Sequence, residues 1–225
     1  MTLLIFDCDG VLVDSEVIAH AVMVDLVTEL GRPMTLEESF GIFAGKRLRD
    51  ALAAAEAWLG KPIAPEASAM AGERLFERFR RELKPIDGIR DAITALPYPR
   101  CVASSSTRER LNLSLEVTGL APLFGGKVFS ADQVEHGKPA PDLFLYAARA
   151  CGAEPSGCIV IEDSVLGVMA ARRAGMKAVG FAGGSHADRR LGEKLSAAGA
   201  EIVIEAMTEL PAAVRGLRDR MSATI

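Results

Sequence analysis

The chain has 225 residues and a formal net charge of −4 at pH 7, and 49% of its residues are hydrophobic while 25% are charged. This composition is ordinary for a globular protein with a real core, and it excludes the broad basic surface of a general nucleic-acid binder. No apolar run approaches ~20 residues and no signal peptide is recognised. We therefore expect a cytoplasmic protein with neither membrane nor nucleic-acid partners.

Short apolar segments that predict β-strands recur along the chain. They lie at residues 3–6, 100–103, 127–129, 158–161, 178–181 and 202–204. Helical spacing follows several of them, most clearly at residues 141–151 and 165–174. Continuous apolar strands are typical of a parallel sheet that is covered on both faces. The alternation predicts an α/β fold with a doubly wound, Rossmann-like parallel sheet and right-handed crossovers.

The connection between the first two predicted strands is far longer than a simple crossover. It contains about ninety residues, whereas a crossover needs a dozen or two. Residues 15–84 have little strand character and show helical spacing near both ends. We predict a helical cap domain at 15–84, inserted after the first strand into a core catalytic domain formed by 1–14 and 85–225.

Two carboxylates follow the first predicted strand. Residues two apart in an extended chain share a face, so Asp7 and Asp9 should have Cβ atoms roughly 6–7 Å apart. One ionised carboxylate can attack phosphorus while the other transfers protons. A strand-end turn capped by Asp explains the pair equally well on spacing alone.

Further polar residues follow other predicted strands. Glu162 and Asp163 end an apolar strand, and carboxylate oxygens suit Mg²⁺. Ser104 and Ser105 end another strand at a helix start, where hydroxyls and amides can bind an anion, although plain helix capping is an alternative. Lys138 lies in a proline-flanked loop and could bind phosphate, although it could also be a surface charge. The carboxyl ends of parallel strands converge. This favours a single phosphoryl-transfer site over separate structural roles for each of these residues.

In these motifs the sequence resembles the haloacid dehalogenase-like hydrolase superfamily, and the branch of β-phosphoglucomutase and sugar-phosphate phosphatases in particular. The first motif of that family, Asp-x-Asp-Gly-x-Leu-x-Asp-Ser, is matched by residues 7–15. The strand-end hydroxyl is matched by Ser104, the Lys of Gly-Lys-Pro-x-Pro by Lys138, and the acidic pair of Glu-Asp-Ser by Glu162 and Asp163. The resemblance covers essentially the whole chain in order.

The resemblance implies a role for each matched carboxylate. Asp7 would be the nucleophile and a Mg²⁺ ligand. Asp9 would be the general acid and base and would give its backbone carbonyl to the metal. Asp163 would bind the metal directly, and Glu162 would assist. True dehalogenases of the superfamily lack the acid at the position of Asp9, so its presence argues against dehalogenation.

The resemblance also implies where phosphate binds. Ser104, the amide of Ser105 and Lys138 would hold the transferring phosphoryl group, with Lys138 counted among the catalytic residues. Mutases of the nearest branch carry a His where this chain has Ala19, and His20 lies one residue out of register. A one-residue offset turns a helical side chain by about 100°. We therefore favour a phosphatase over a mutase.

The predicted cap should select the leaving group. Glu16 lies where related phosphatases carry an acid, and Lys46, Arg47 and Arg49 follow a glycine in a loop expected over the site. These residues predict a sugar phosphate or sugar-acid phosphate as substrate, although each cation could equally be solvated. We expect a monomer or weak homodimer. The alternatives are a phosphomutase, a phosphonate hydrolase that uses Lys46, and a non-catalytic binding protein.

Overall fold

The computed structural model describes residues 2–46 and 48–222 and contains a six-stranded parallel sheet. The strands are β1 (Leu3–Phe6), β2 (Arg100–Ser104), β3 (Val128–Ser130), β4 (Cys158–Glu162), β5 (Lys177–Phe181) and β6 (Ile202–Ile204). Their order across the sheet is β3-β2-β1-β4-β5-β6. Each strand lies within one residue of its predicted segment, and the predicted doubly wound α/β fold is confirmed.

Helices connect the strands. In the described ranges they are α1 (Glu16–Glu29), α2 (Leu36–Phe43), α3 (Leu48–Leu59), α4 (Pro65–Glu82), α5 (Ile89–Thr94), α6 (Arg108–Val117), α7 (Asp142–Ala150), α8 (Val165–Arg173), α9 (Leu191–Ala198) and α10 (Leu210–Ser222). Within those ranges, none of these helices combines the length and the apolar character needed to cross a bilayer.

The sheet has a separate hydrophobic layer on each face. Leu4 and Phe6 of β1 pack in one layer with residues of α5, α6 and α10, whereas Leu3 and Ile5 pack in the other with residues of α7, α8 and α9. Alternate residues of a strand point to opposite faces, so a strand covered on both sides must be apolar throughout. This explains the uninterrupted apolar run of β1.

The four helices α1 to α4 lie between β1 and β2 and have small apolar clusters of their own. One of these clusters contains Val27, Phe43 and Ala55. The two chain segments that enter and leave the insert are joined by backbone hydrogen bonds: the amide of Asp14 donates to Lys84 at 2.9 Å. The helices fall within the predicted insert, and the domain boundaries at 15–84 stay a prediction.

Phe79 connects the insert to the sheet. It lies near the end of α4, is fully buried, and belongs to the same hydrophobic layer as Leu4 and Phe6 rather than to the clusters inside the insert. The attachment of α4 therefore depends on burial of this ring.

We predict that Phe79→Ala lowers the free energy of unfolding by about 3–5 kcal/mol, because it leaves a cavity where α4 meets the sheet. Denaturant unfolding followed by circular dichroism measures the change. Met70→Ala on the same helix is the matched control, since Met70 is 54% exposed, and it should change stability by less than about 0.5 kcal/mol. Equal effects of the two substitutions would contradict the prediction.

Candidate active site

The strand order reverses between β1 and β4, because β2 and β3 lie on one side of β1 while β4, β5 and β6 lie on the other. Ligands of open α/β sheets bind at such a switch point, beyond the carboxyl ends of the strands. Asp7 follows β1 directly, Ser104 ends β2, and Glu162 ends β4. The fold therefore brings the polar residues of three neighbouring strands to one edge.

Lys138 joins two of these carboxylates. Its ammonium nitrogen donates to Asp7 Oδ1 at 2.8 Å and to Glu162 Oε1 at 2.5 Å, and its side chain is only 2% exposed. Burial alone would lower the pKa of Lys138, but Asp7 and Glu162 raise it above its ordinary value. Lys138 is therefore a buried, permanently charged ammonium at the centre of the site.

Asp7, Glu162 and Asp163 form a buried acidic cluster in which one oxygen of each lies within 4.8 Å of the others. Burial raises the pKa of Asp7 although Lys138 opposes the shift, and burial raises the pKa of Asp163 to about 7. Hard oxygen ligands at this spacing, with too little positive charge around them, could hold a divalent cation. The Asp9 carboxylate is not part of the cluster, and its predicted contribution through the backbone carbonyl stays a prediction.

The start of α8 fixes the Glu162 carboxylate. The backbone amide and the hydroxyl of Ser164 donate to Glu162 Oε2 at 2.8 and 2.9 Å. A Cβ atom on Gly167 would lie 1.8 Å from Glu162 Oε1, so the glycine leaves the room in which the carboxylate lies. The positive end of the helix also favours an anion there.

Asp9 is held by hydroxyls and an arginine. Its Oδ1 accepts from Ser15 at 2.6 Å and from Arg110 at 2.5 Å, and its Oδ2 accepts from Ser106 at 2.6 Å and Ser104 at 3.4 Å. Burial would raise the pKa of Asp9, but Arg110 and the hydroxyl hydrogen bonds together hold it below the ordinary value. Asp9 is therefore ionised in this arrangement.

Two side chains of the site were not predicted from the sequence. Arg110 lies in the first turn of α6, and His186 lies after β5, where its Nε2 is 3.0 Å from Asp163 Oδ2. Each follows the carboxyl end of a strand, which was the available signal. Neither residue belongs to one of the family motifs, and only the folded structure shows which carboxylate each of them contacts.

A cavity of about 880 Å³ lies between the edge of the sheet and the inserted helices. Its sheet side includes Asp7, Asp9 and Lys138 together with the predicted phosphate-binding residues Ser104 and Ser105. Its other side is formed by residues of all four inserted helices, α1 to α4, and is largely apolar. The volume suits a small organic molecule, which typically binds in a cavity of ~300–1,000 Å³.

The residues predicted for the cap side have different positions. Glu16 and Lys46 line the cavity, and the Lys46 ammonium donates to the Ile42 carbonyl at 2.6 Å. Arg49 is an exposed side chain 3.5 Å from Asp50 and does not belong to the cavity lining in the described ranges, so its placement does not support the predicted substrate contact. Arg47 lies outside the described residues.

Comparisons with known proteins agree with this geometry. A family model described as haloacid dehalogenase-like hydrolase matches residues 1–175. The chain is 32% identical over 182 residues to the 6-phosphogluconate phosphatase of Escherichia coli, an alignment that covers 80% of this chain and 82% of the relative.

Two solved structures are similar over nearly the full length. A conserved haloacid dehalogenase-like protein of unknown function from Agrobacterium tumefaciens is 40% identical with a TM-score of 0.84, covering 96% of this chain and 99% of that one. A hydrolase of the same family from Deinococcus radiodurans, with bound phosphate and sodium, is 33% identical with a TM-score of 0.76, covering 96% of each chain. The chain therefore belongs to the haloacid dehalogenase-like hydrolase family, as an enzyme of the phosphoric monoester hydrolase class.

Proposed function

We propose that the chain is a Mg²⁺-dependent phosphatase that hydrolyses a small phosphorylated sugar or sugar acid through an aspartyl phosphate on Asp7. One observation carries the proposal: Asp7 lies beside a buried ammonium and two further carboxylates at the switch point of the sheet, with Asp9 on the same strand end. This set supplies the nucleophile, the acid and base, and positive charge for phosphoryl transfer.

In the first step an oxygen of Asp7 attacks phosphorus, and the bond between phosphorus and the ester oxygen breaks. The leaving oxygen takes a proton from Asp9. Among the described residues Lys138 directs two of its three N–H groups at carboxylates, and we assign the third to the phosphate oxygens. Ser104 and the amide of Ser105 complete the phosphate site.

In the second step water attacks phosphorus, gives its proton to Asp9, and displaces the Asp7 oxygen as phosphate leaves. Ionised Asp9 is ready for this role as a base. Donating a proton in the first step requires a protonated Asp9, so its contact with Arg110 must loosen when substrate binds. Arg110 therefore belongs to the region that responds to the leaving group.

The acidic cluster fits Mg²⁺ because all three side chains offer hard oxygen ligands and are buried. Asp7 and Asp163 would hold the ion together with the Asp9 carbonyl, and Glu162 would assist through its contact with Lys138. A bound dication supplies charge that offsets repulsion between the Asp7 carboxylate and an anionic phosphate.

A small phosphorylated sugar or sugar acid suits the cavity in size and polarity. Carboxylates and hydroxyls line its sheet side, Glu16 and Lys46 add opposite charges from the insert, and most of the remaining lining from the insert is apolar. The similar enzyme from Escherichia coli is named for 6-phosphogluconate, a phosphorylated sugar acid. A cytoplasmic location and a monomer or weak homodimer stay predictions.

The inserted helix α1 favours hydrolysis over a mutase reaction. His20 is buried, with Nδ1 2.8 Å from the Ser39 hydroxyl and Nε2 3.3 Å from Glu16. Both ring nitrogens are therefore used within the insert. Ala19, at the position where mutases carry their histidine, has no group that could transfer a proton.

We predict that Asp7→Asn lowers kcat on phosphate monoesters by at least about 10³-fold, because the amide cannot form the aspartyl phosphate. Phosphate release from a panel of sugar phosphates and sugar-acid phosphates in the presence of Mg²⁺ measures the effect. Asp219→Asn is the matched control, since Asp219 is an exposed partner of Arg218 on α10, and it should retain full activity.

Equal phosphate release by the unaltered chain and the Asp7→Asn variant would contradict the proposed function. Conversion of one sugar phosphate into its isomer, only with a bisphosphate primer and without net phosphate release, would instead assign a mutase.

We predict that the Mg²⁺ concentration for half-maximal activity rises about tenfold from pH 8 to pH 6. The pKa of Asp163 is raised to about 7, so its ionised fraction falls through this window, and a proton competes with the cation for the carboxylate. Mg²⁺ titrations at pH 6, 7 and 8 test this, with turnover at saturating Mg²⁺ recorded at each pH to separate cation binding from chemistry. A constant half-maximal concentration would contradict the prediction.

A further inference from the structure

His186 occupies a slot built from the backbone of two loops. Its side chain is 9% exposed. A Cβ atom on Gly184 would lie 2.7 Å from the ring, and one on Gly10 would lie 2.9 Å from its Cε1. Both distances are shorter than real contacts of a Cβ atom, so the ring fits only because glycine stands at both positions. One of these glycines follows Asp9, so the slot adjoins the strand end that carries the nucleophile.

On one side, His186 holds an acid of the proposed metal site. Its Nε2 lies 3.0 Å from Asp163 Oδ2. Lys138 contacts Asp7 and Glu162 instead, so the third member of the acidic cluster is oriented by a different side chain. Residues that hydrogen-bond metal ligands fix the direction of the ligand atoms and strengthen metal binding.

The other ring nitrogen does not share this task. Within the described ranges, His186 Nδ1 is buried and has no hydrogen-bond partner. Only the donor at the position of Nε2 therefore orients Asp163, and the atom at the position of Nδ1 has no part in it.

On its far side, His186 contacts the inserted helices. The ring of Phe40 on α2 lies 6.3 Å from it, centroid to centroid, and 4.1 Å from the ring of His20 on α1. His20 is in turn fixed by Ser39 and Glu16. A row of three rings thus runs from Asp163 into the insert, with Phe40 of α2 beside His186.

We infer that His186 is a positioning residue, which orients Asp163 for the divalent cation and makes cation affinity depend on the position of α2 over the site. The inference rests on the proposed function, since it concerns the proposed metal site. The His186 ring lies between Asp163 on one side and Phe40 of α2 on the other.

The test measures how tightly the metal-free protein binds Mn²⁺, a paramagnetic ion that also accepts oxygen ligands. Electron paramagnetic resonance detects the bound and the free ion. His186→Asn should weaken binding about 10–100-fold, because its amide reaches only the position of Nδ1. His186→Gln carries a donor near the position of Nε2 and should bind within about threefold of the unaltered chain.

The matched control is His136→Asn. His136 also pairs with an aspartate, with Nδ1 3.1 Å from Asp142, but it is exposed and lies outside the acidic cluster. This substitution should leave Mn²⁺ affinity unchanged. Thermal unfolding of each variant without metal checks that the loss does not come from unfolding, and rescue by Gln is a result that general damage to the fold would not give.

Phe40→Ala tests the link to the insert. It should weaken Mn²⁺ binding about threefold or more in the unaltered background and have no further effect in the His186→Asn background, because Phe40 acts through the His186 ring. Additive losses in the double variant would show that the two residues act independently and would overturn the link.

The outcomes separate this inference from the proposed function. Unaltered Mn²⁺ affinity in His186→Asn, or equal losses in the Asn and Gln variants, would overturn the positioning role while leaving the proposed function intact. Failure of the unaltered chain to bind Mn²⁺ would overturn the proposed metal site and this inference with it.

Discussion

The buried ammonium of Lys138 is the interaction on which the site depends. Two buried carboxylates that lie close together repel each other strongly unless a cation lies between them. Lys138 lies 2.8 Å from Asp7 and 2.5 Å from Glu162, and it thereby holds the ends of β1 and β4 together. The remaining negative charge falls on Asp163, which explains why a cation and a histidine imidazole are both suited to its surroundings.

Asp9 has a different environment, although it stands only two residues from Asp7. Hydroxyls and Arg110 favour its ionised form, whereas burial among acids raises the pKa of Asp7. Neighbouring carboxylates whose pKa values are pushed in opposite directions can take different chemical roles. In the free site these directions run opposite to the roles proposed for the pair, since a nucleophile must be ionised and a general acid protonated, so a bound cation and substrate are needed to reverse them.

The sheet could be predicted from the sequence because each strand contains a run of apolar residues, and every strand is present within one residue of its predicted segment. The convergence of Asp7, Ser104 and Glu162 followed from the rule that parallel strands share one carboxyl edge. Partners such as Arg110 and His186 could not be predicted, because a side chain in a loop or a first helical turn finds its acid only through long-range packing. Arg49 shows the same difficulty: the sequence does not reveal the direction of a charged side chain, this one is exposed to solvent beside Asp50, and its substrate contact stays a prediction.

The central position of β1 also bears on how the protein is made. Leu4 pairs with Arg100 on one side and with Ile159 on the other, so β1 leaves the ribosome well before both of its neighbours. Until β2 has been synthesised, this segment, which is apolar on both faces, has no strand to pair with, and its second neighbour β4 follows later still. The inserted helices are complete much earlier, and their small apolar clusters are formed by residues of the insert itself, which are all available by then. The catalytic edge is therefore assembled late in synthesis, after most of the chain that will cover it already exists.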